Sequence, residues 1–357
     1  MNRNKVISGI AVVAVAAVLA VSFLALKKPP EGSGPAARAR KAGLMFAAAE
    51  EALKKGEEDK ASGALFEIIN EYQETGYAEK SLARLASIYR EKGDDAKAEY
   101  YYNRILKDFP DTSSAADIHA AMGEINMKKI MSPVIGADSI EYAVQPGDTL
   151  FGLAKRFNTT VDLLKKVNNL KGDLIRVGQK LKIIISRFSI LVDKSRNILT
   201  LKKDGELFKV YTVSTGKDNC TPAGTFKIEE KLVKPVWYTV GAVVPAGSDK
   251  NELGERWMGI SLEGYGIHGT LDENTIGGQV TQGCVRMRNN DVIEIFDIVP
   301  SGTEVKIVDN TEVKVEEDIE EEAQASPDES AGEVEADEAG ENTEATEPDA
   351  PGKTESD

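Results

Sequence analysis

Residues 56–88 and 93–125 are two copies of one pattern, offset by 37 positions. Gly56 maps to Gly93, Ala61 to Ala98, Ile68 to Ile105, Ile69 to Leu106 and Tyr72 to Phe109. The offset continues through Ala78 and Ala115, Leu85 and Met122, and Ile88 and Ile125. A fixed period in this range, with small and aromatic residues at helix-packing spacing, marks stacked helical hairpins that bury their apolar faces against their neighbours. The pattern therefore predicts α-helical hairpin repeats over residues 37–130, preceded by a short linker, EGSGPA, at 31–36. In that register Tyr100, Tyr101 and Tyr102 read as hairpin packing rather than a ligand box, and His119 as a helix residue.

The chain ends are different. Val6 to Leu26 carries no charge and is long enough to cross about 30 Å of hydrocarbon. It predicts one membrane helix within residues 1–30; a signal peptide cleaved near Val18-Leu19-Ala20 is the alternative. Residues 311–357 hold 19 acidic residues and 2 Lys, a net of −17, so the formal charge of −15 comes wholly from this stretch. With almost no apolar clusters it is expected to be a disordered acidic tail. The other 310 residues are nearly neutral, which gives no support for nucleic-acid binding. Two cysteines make no disulfide framework, and no His/Cys cluster has metal-ligand spacing. Neither a metal nor another cofactor is expected.

After a linker at 131–140, the stretch from Glu141 to Ile185 predicts a small βααβ module. It has a strand at Tyr142–Val144, a turn at Pro146-Gly147, a helix capped by Asp148 or Thr149, a second helix begun by Thr159 or Thr160, and a closing strand at Lys180–Ile185. Val144, Gly147, Asp148, Thr149, Leu150, Ala154, Phe157, Leu164, Asn168, Gly178, Gln179, Leu181 and Ile183 match, in order, the LysM pattern, and the module closely resembles a LysM domain. The resemblance implies binding of N-acetylglucosamine-containing glycans. It places Gly147, Asp148, Thr149 and Leu150, with the loop at about 170–175, beside the sugar. In the helical region, GDDAKAEYYYNRILKDFPDT resembles a tetratricopeptide-repeat unit, although the period is a few residues longer. That resemblance implies a protein or peptide partner; a rigid spacer is the equal alternative.

From Arg187 to Val308 the pattern turns to alternating strands, with turns at Ser195-Arg196-Asn197 and Asp204-Gly205 and one helix at Asn290–Val299. This mostly-β region contains IHGTLDENTIGGQVTQGC. It holds one of the two histidines, His268, and one of the two cysteines, Cys284. A thiol attacks as its thiolate, and a nearby imidazole or cation lowers its pKa. Gly283 lets the backbone turn and present N–H groups to an oxyanion. Arg286, two residues on, can share a face with Cys284 and bind a carboxylate or hold the thiolate. The set suits acyl transfer through a thioester.

His268-Gly269, Gly277 and Thr281-Gln282-Gly283-Cys284-Val285-Arg286 fit the HG…TxGCxR pattern. Residues 187–308 resemble the L,D-transpeptidase catalytic family. The resemblance implies a peptidoglycan enzyme with Cys284 as nucleophile and His268 as its proton acceptor. The N–H groups of Gly283 and Cys284 would hold the oxyanion, and Arg286, Gly269 and Thr281 would contact substrate. Cys284 would attack a stem tetrapeptide at its third residue and expel the terminal D-alanine. An amine would then take the acyl group to give a 3→3 crosslink; water or a protein lysine are alternative acceptors. Two departures stand out: Gln282 occupies a position that is often His, and Cys220 one that is commonly Ser or Thr. Cys220 is expected to be small and buried, and Trp237, Trp257 and Tyr265 to pack in the core, with lining of the substrate cleft as the alternative. The fold class expected is multidomain, with helical hairpin repeats, a LysM module and a mostly-β catalytic domain. All these parts point to the cell envelope, outside the cytoplasm, with glycan strands and stem peptides as partners. The rival reading is a non-catalytic scaffold that binds peptidoglycan.

Overall fold

Pro35, whose fixed φ suits the first turn of a helix, opens the first element of the computed structural model, which describes residues 34–239 and 241–310. The apolar run Val6–Leu26 and the acidic stretch 311–357 lie outside these residues. Among the described residues no helix is long and apolar enough to cross a membrane. The linker expected at 31–36 is already helix from Pro35 onward.

Five helices follow one another: α1 (Pro35–Lys54), α2 (Glu58–Glu71), α3 (Gly76–Glu91), α4 (Asp95–Asp108) and α5 (Ala115–Met131). The 37-residue offset is visible in their packing. Gly56 and Gly93 close the α1–α2 and α3–α4 turns at φ of 75° and 73°, a region that glycine enters without steric cost. Ala61 and Ala98, and Ile68 and Ile105, are fully buried at matching positions. Tyr101 and Tyr102 are buried, and Tyr101 stacks on Tyr89 at 5.6 Å. These are helical repeats held by interlocked apolar faces.

The next segment is a two-stranded antiparallel sheet, β1 (Ser139–Ala143) and β2 (Lys180–Ile184), with α6 (Leu150–Arg156) and α7 (Val161–Val167) between them. Thr149 caps α6 by accepting from the Gly152 N–H, and Thr160 caps α7 by accepting from that of Leu163. β1 begins at Ser139 rather than Tyr142, because Ser139 and Ile140 pair with Ile184 and Ile183 across the ladder. Val144, Leu150, Leu153, Leu164, Leu181 and Ile183 form its core.

The remainder is a mostly-β domain around an eight-stranded sheet. Its strands are β3 (Phe188–Asp193), β4 (Ile198–Lys203), β5 (Glu206–Thr212), β7 (Gly224–Val233), β10 (Arg256–Ile260), β11 (Gly266–His268), β13 (Val285–Arg286) and β14 (Glu304–Val308). They lie in the order β13-β11-β10-β7-β14-β3-β4-β5. β6 (Thr215–Gly216) pairs in parallel with β12 (Gln279–Thr281), and β8 (Trp237–Thr239) with β9 (Ala242–Val244) as a hairpin. One helix, α8 (Asn289–Ile298), packs on β10 and β11.

Residues 132–138 join α5 to β1 without helix or strand and are mostly exposed, while the elements on either side pack on the large sheet. α5 packs on β5, and Met127, Ile130, Leu163, Val167 and Ile184 join the core cluster of the large sheet. Asn126 donates to the Phe208 carbonyl at 2.8 Å. The Lys182 ammonium donates to the carbonyls of Ile130 (3.1 Å) and Ser132 (2.7 Å). Thr160 donates from its hydroxyl to the Asp297 carbonyl. These contacts seat the last helical repeat and the small module on the large sheet.

Candidate active site

Parallel pairing of β11 with β13 sets His268 opposite Arg286 and Ile267 opposite Val285, so Cys284 enters the sheet edge beside Gly266. Cys284, His268 and Arg286 line one cleft of about 790 Å³, together with Trp237, Tyr238, Trp257 and Tyr265. Trp237, Trp257 and Tyr265 thus stand in the cleft wall, the alternative to core packing, and Tyr265 also packs against the core of the large sheet. The cleft exposes part of each ring to a groove built from β7, β8 and β10.

His268 is 3% exposed and its Nδ1 lies 2.7 Å from the Gly269 carbonyl. A carbonyl only accepts, so Nδ1 carries the proton and Nε2 keeps its lone pair for a base role. Trp257 stacks on the imidazole, with ring centroids 6.0 Å apart and planes at 26°. Burial pulls the His268 pKa down to about 4; the carbonyls of Gly269 and Glu252 oppose that, and the Arg286 charge adds to it. The imidazole is therefore neutral above that pH.

The loop that carries Cys284 is held by its own side chains. Thr281 donates from its hydroxyl to the Cys284 carbonyl at 2.7 Å and accepts from the Gly283 N–H at 3.2 Å. Gly283 has φ of 117°, and a methyl there would stand 2.6 Å from the Tyr265 ring. The Gly283 amide is thus committed within the loop, whereas the Cys284 N–H has no partner among the described residues. Cys284 is half-buried, and its thiol donates weakly to the Gly264 carbonyl at 3.7 Å. Burial raises its pKa above the ordinary thiol value; the Gly266 N–H and Arg286 oppose this. The lowering expected from a nearby imidazole or cation is therefore not seen: low dielectric penalises the thiolate more than Arg286 helps it. A neutral thiol beside a neutral imidazole is the resting pair.

Arg286 is 8% exposed. It donates to Glu252 (2.8 Å) and to Thr275 (3.3 Å). Its backbone exchanges two hydrogen bonds of 2.8 Å with Ser214. Of the two residues expected to contact substrate, Gly269 faces the fold, whereas Thr281, although 5% exposed, lines the cleft. A methyl on Gly269 would run into Asn289 Oδ1, and its carbonyl orients His268. Asn289, the first residue of α8, accepts from the Glu255 N–H (3.0 Å) and donates to the Thr270 carbonyl (2.6 Å), so it ties the turn after His268 to β10. Cys220 is exposed rather than buried. Its sulfur lies 2.5 Å from where a Cβ on Gly216 would stand.

Three residues escaped the sequence reading: Asn251, Glu252 and Asn289. Each acts through a polar contact to a distant part of the chain, and none carries a local signal beyond the glycines at 254 and 269 that make room for Asn289.

In the small module, Gly147 turns at φ of 85°. The Asp148 carboxylate accepts from Tyr142, the Gln145 N–H and Arg156, all at 2.8 Å. Thr149 is the helix cap and Leu150 is core. Phe151, Leu174 and Val177 are exposed on the same module. Among the described residues no group of His, Cys, Asp or Glu is arranged to hold a metal.

Comparison with known proteins places these observations. Residues 187–307 match the YkuD family, described as the L,D-transpeptidase catalytic domain, and residues 142–183 match the LysM domain. YqjB of Bacillus subtilis, whose name assigns it to the L,D-transpeptidases, is 39% identical over 127 residues, 34% of this chain and 71% of its own. YkuD of Bacillus licheniformis, named for the same activity, is 34% identical over 174 residues, 46% of this chain and 97% of its own. YkuD of Bacillus subtilis is 32% identical over 175 residues, 47% of this chain and 98% of its own.

Proposed function

The chain belongs to the L,D-transpeptidase family, and on that premise we propose that it remodels peptidoglycan by acyl transfer through Cys284. The carrying observation is the shared cleft: a half-buried thiol and an imidazole whose Nδ1 is fixed by the Gly269 carbonyl. His268 takes the thiol proton at Nε2 as Cys284 attacks the peptide carbonyl of the third stem residue. Proton transfer accompanies attack, because the neutral pair is favoured at rest. The C–N bond breaks, the proton passes from His268 to the departing amine, and D-alanine leaves a thioester on Cys284. An acceptor amine then attacks the thioester, loses its proton to His268 and restores the thiol, giving a 3→3 crosslink. Water or a protein lysine resolves the same intermediate to a trimmed stem or an anchored protein.

The Cys284 N–H is the donor placed to hold the oxyanion, and Gly283 supplies the turn that exposes it. Arg286 is the cation for a substrate carboxylate. Residues 187–308 act as the catalytic unit. Residues 141–185 bind the glycan, with Gly147 to Leu150 forming the turn beside the sugar and Phe151, Leu174 and Val177 offering apolar contact. Binding there raises the local concentration of stems at the cleft. Residues 37–130, similar to tetratricopeptide repeats, serve as a partner surface or a spacer. The work is done outside the cytoplasm, with residues 1–30 as anchor or cleaved signal and 311–357 as an acidic tail.

The test is to incubate the protein with disaccharide-tetrapeptide muropeptides and identify the products by mass spectrometry. Free D-alanine with 3→3 dimer, lost in His268→Ala, is expected. No D-alanine from folded protein with Cys284 reduced would leave a peptidoglycan-binding scaffold.

A further inference from the structure

Arg286 and Glu252 make an asymmetric pair in the wall of the cleft that holds Cys284 and His268. The guanidinium is nearly buried, whereas the Glu252 side chain is 61% exposed. Glu252 accepts from Nη2 at 2.8 Å, and Nη1 donates to Thr275. Nε is buried and has no partner among the described residues. A guanidinium presents Nε–H and Nη2–H as two parallel donors along one edge, the geometry that a carboxylate fills with both oxygens. Glu252 uses only one of them. A buried donor left unpaired is costly, so this edge favours an occupant that takes both.

The arm that blocks it is free to swing while its base stays put. Asn251, next in the chain, is buried. Its amide donates to the carbonyls of Pro235 (2.9 Å) and Pro245 (3.1 Å), at either end of the β8–β9 hairpin, and its Oδ1 accepts from the Leu253 N–H (3.0 Å). An ion pair with one partner in water holds weakly.

We propose that Glu252 stands in for the donor's terminal carboxylate, which displaces it on binding and takes both Nε–H and Nη2–H of Arg286. The inference rests on the acyl-transfer reading above. A stem tetrapeptide carries a free carboxylate one residue beyond the attacked carbonyl, about 3.8 Å per residue along the chain. Arg286 lies two positions from Cys284 on the same segment. A donor extended by one residue moves its carboxylate out of register and leaves Arg286 on Glu252. Arg286 and Glu252 together would then read the length and charge of the donor's end.

The experiment is a titration of two donors onto Cys284→Ala, in which no turnover occurs, and onto Cys284→Ala/Glu252→Gln. One donor is the disaccharide-tetrapeptide; the other is the same muropeptide ending in D-alaninamide. On Cys284→Ala the carboxylate donor is expected to bind about tenfold or more tighter than the amide. Glu252→Gln is expected to tighten the carboxylate donor by about threefold and leave the amide unchanged. Glu252→Ala should act in the same direction. Equal binding of the two donors to Cys284→Ala would overturn the proposal. So would a Glu252→Gln variant, folded by its melting curve, that weakens both donors alike, since Glu252 would then merely support Arg286. D-alanine release by the wild type is measured alongside. Its absence would sink the acyl-transfer reading; its presence with equal donor binding would sink only this one.

Discussion

The helical repeats and the catalytic sheet fill their interiors with different atoms. Between the helices the buried set is almost wholly apolar, led by Leu65, Leu82, Leu85, Ile105 and small alanines. Charges stay outside, where Arg84 pairs with Glu50 at 2.8 Å and Lys128 with Asp95 at 2.6 Å. The sheet carries a similar apolar core but also buries His268, Arg286, Asn251, Thr221 and Thr281. Each of these costs desolvation and persists only with partners. Apolar packing yields stability alone, whereas buried polar groups hold chemistry in place. The two regions should therefore answer mutation in separate ways.

The largest effect that keeps them apart is in the helices. Leu85→Ala empties a fully buried site and should cost about 2–5 kcal/mol. Denaturant unfolding checks the loss. D-alanine release per folded molecule should stay at the wild-type rate; a matching fall in rate would break the separation.

Acid should act on the sheet through His268. Its folded pKa is held near 4 and its unfolded value is near 6.5, so the unfolded chain binds the extra proton between them. The sign follows: stability is intact above about pH 6.5 and falls as pH drops toward 4, by about 3 kcal/mol. Melting curves of wild type and His268→Gln over this range should diverge, with the variant losing less. Parallel curves would mean that His268 is not the group that resists protonation.

Two glycines with positive φ sharpen the comparison further. At Gly283 an added methyl meets both a left-handed backbone and the Tyr265 ring. Gly283→Ala should cost about 1–3 kcal/mol and most of the activity. At Gly56 the backbone is also left-handed, but nothing lies within 4 Å. Gly56→Ala should cost about 1 kcal/mol and spare the rate. Thermal melts beside D-alanine release separate them. The smallest effect is Arg104→Ala on the exposed face of α4, which breaks a pair to Asp108 at 2.8 Å. About 0.3–0.5 kcal/mol is expected.

What the sequence made legible was local or chemically rare. The 37-residue offset exposed the helical repeats, because packing residues recur at fixed spacing. The alternation from Arg187 exposed the mostly-β region, with turns where Asn197, Asp204 and Gly205 do adopt positive φ. His268 and Cys284 stood out because the chain has so few of either. What stayed hidden depends on tertiary contact. Asn251 and Glu252 look like loop surface until Glu252 reaches Arg286, 34 positions away. The packing of α5 on β5 was equally hidden, because it joins residues far apart in the chain. The upward direction of the Cys284 pKa stayed hidden because burial, which no spacing encodes, outweighs the nearby cation.

One measurement tests the central claim most directly: the intact mass of the protein after brief exposure to a disaccharide-tetrapeptide, wild type beside Cys284→Ala. The account predicts an adduct on the wild type alone, equal in mass to the donor less its terminal D-alanine. It would be discharged by an added amine. An unmodified wild type with a reduced, accessible Cys284, or an equal adduct on Cys284→Ala, would contradict it.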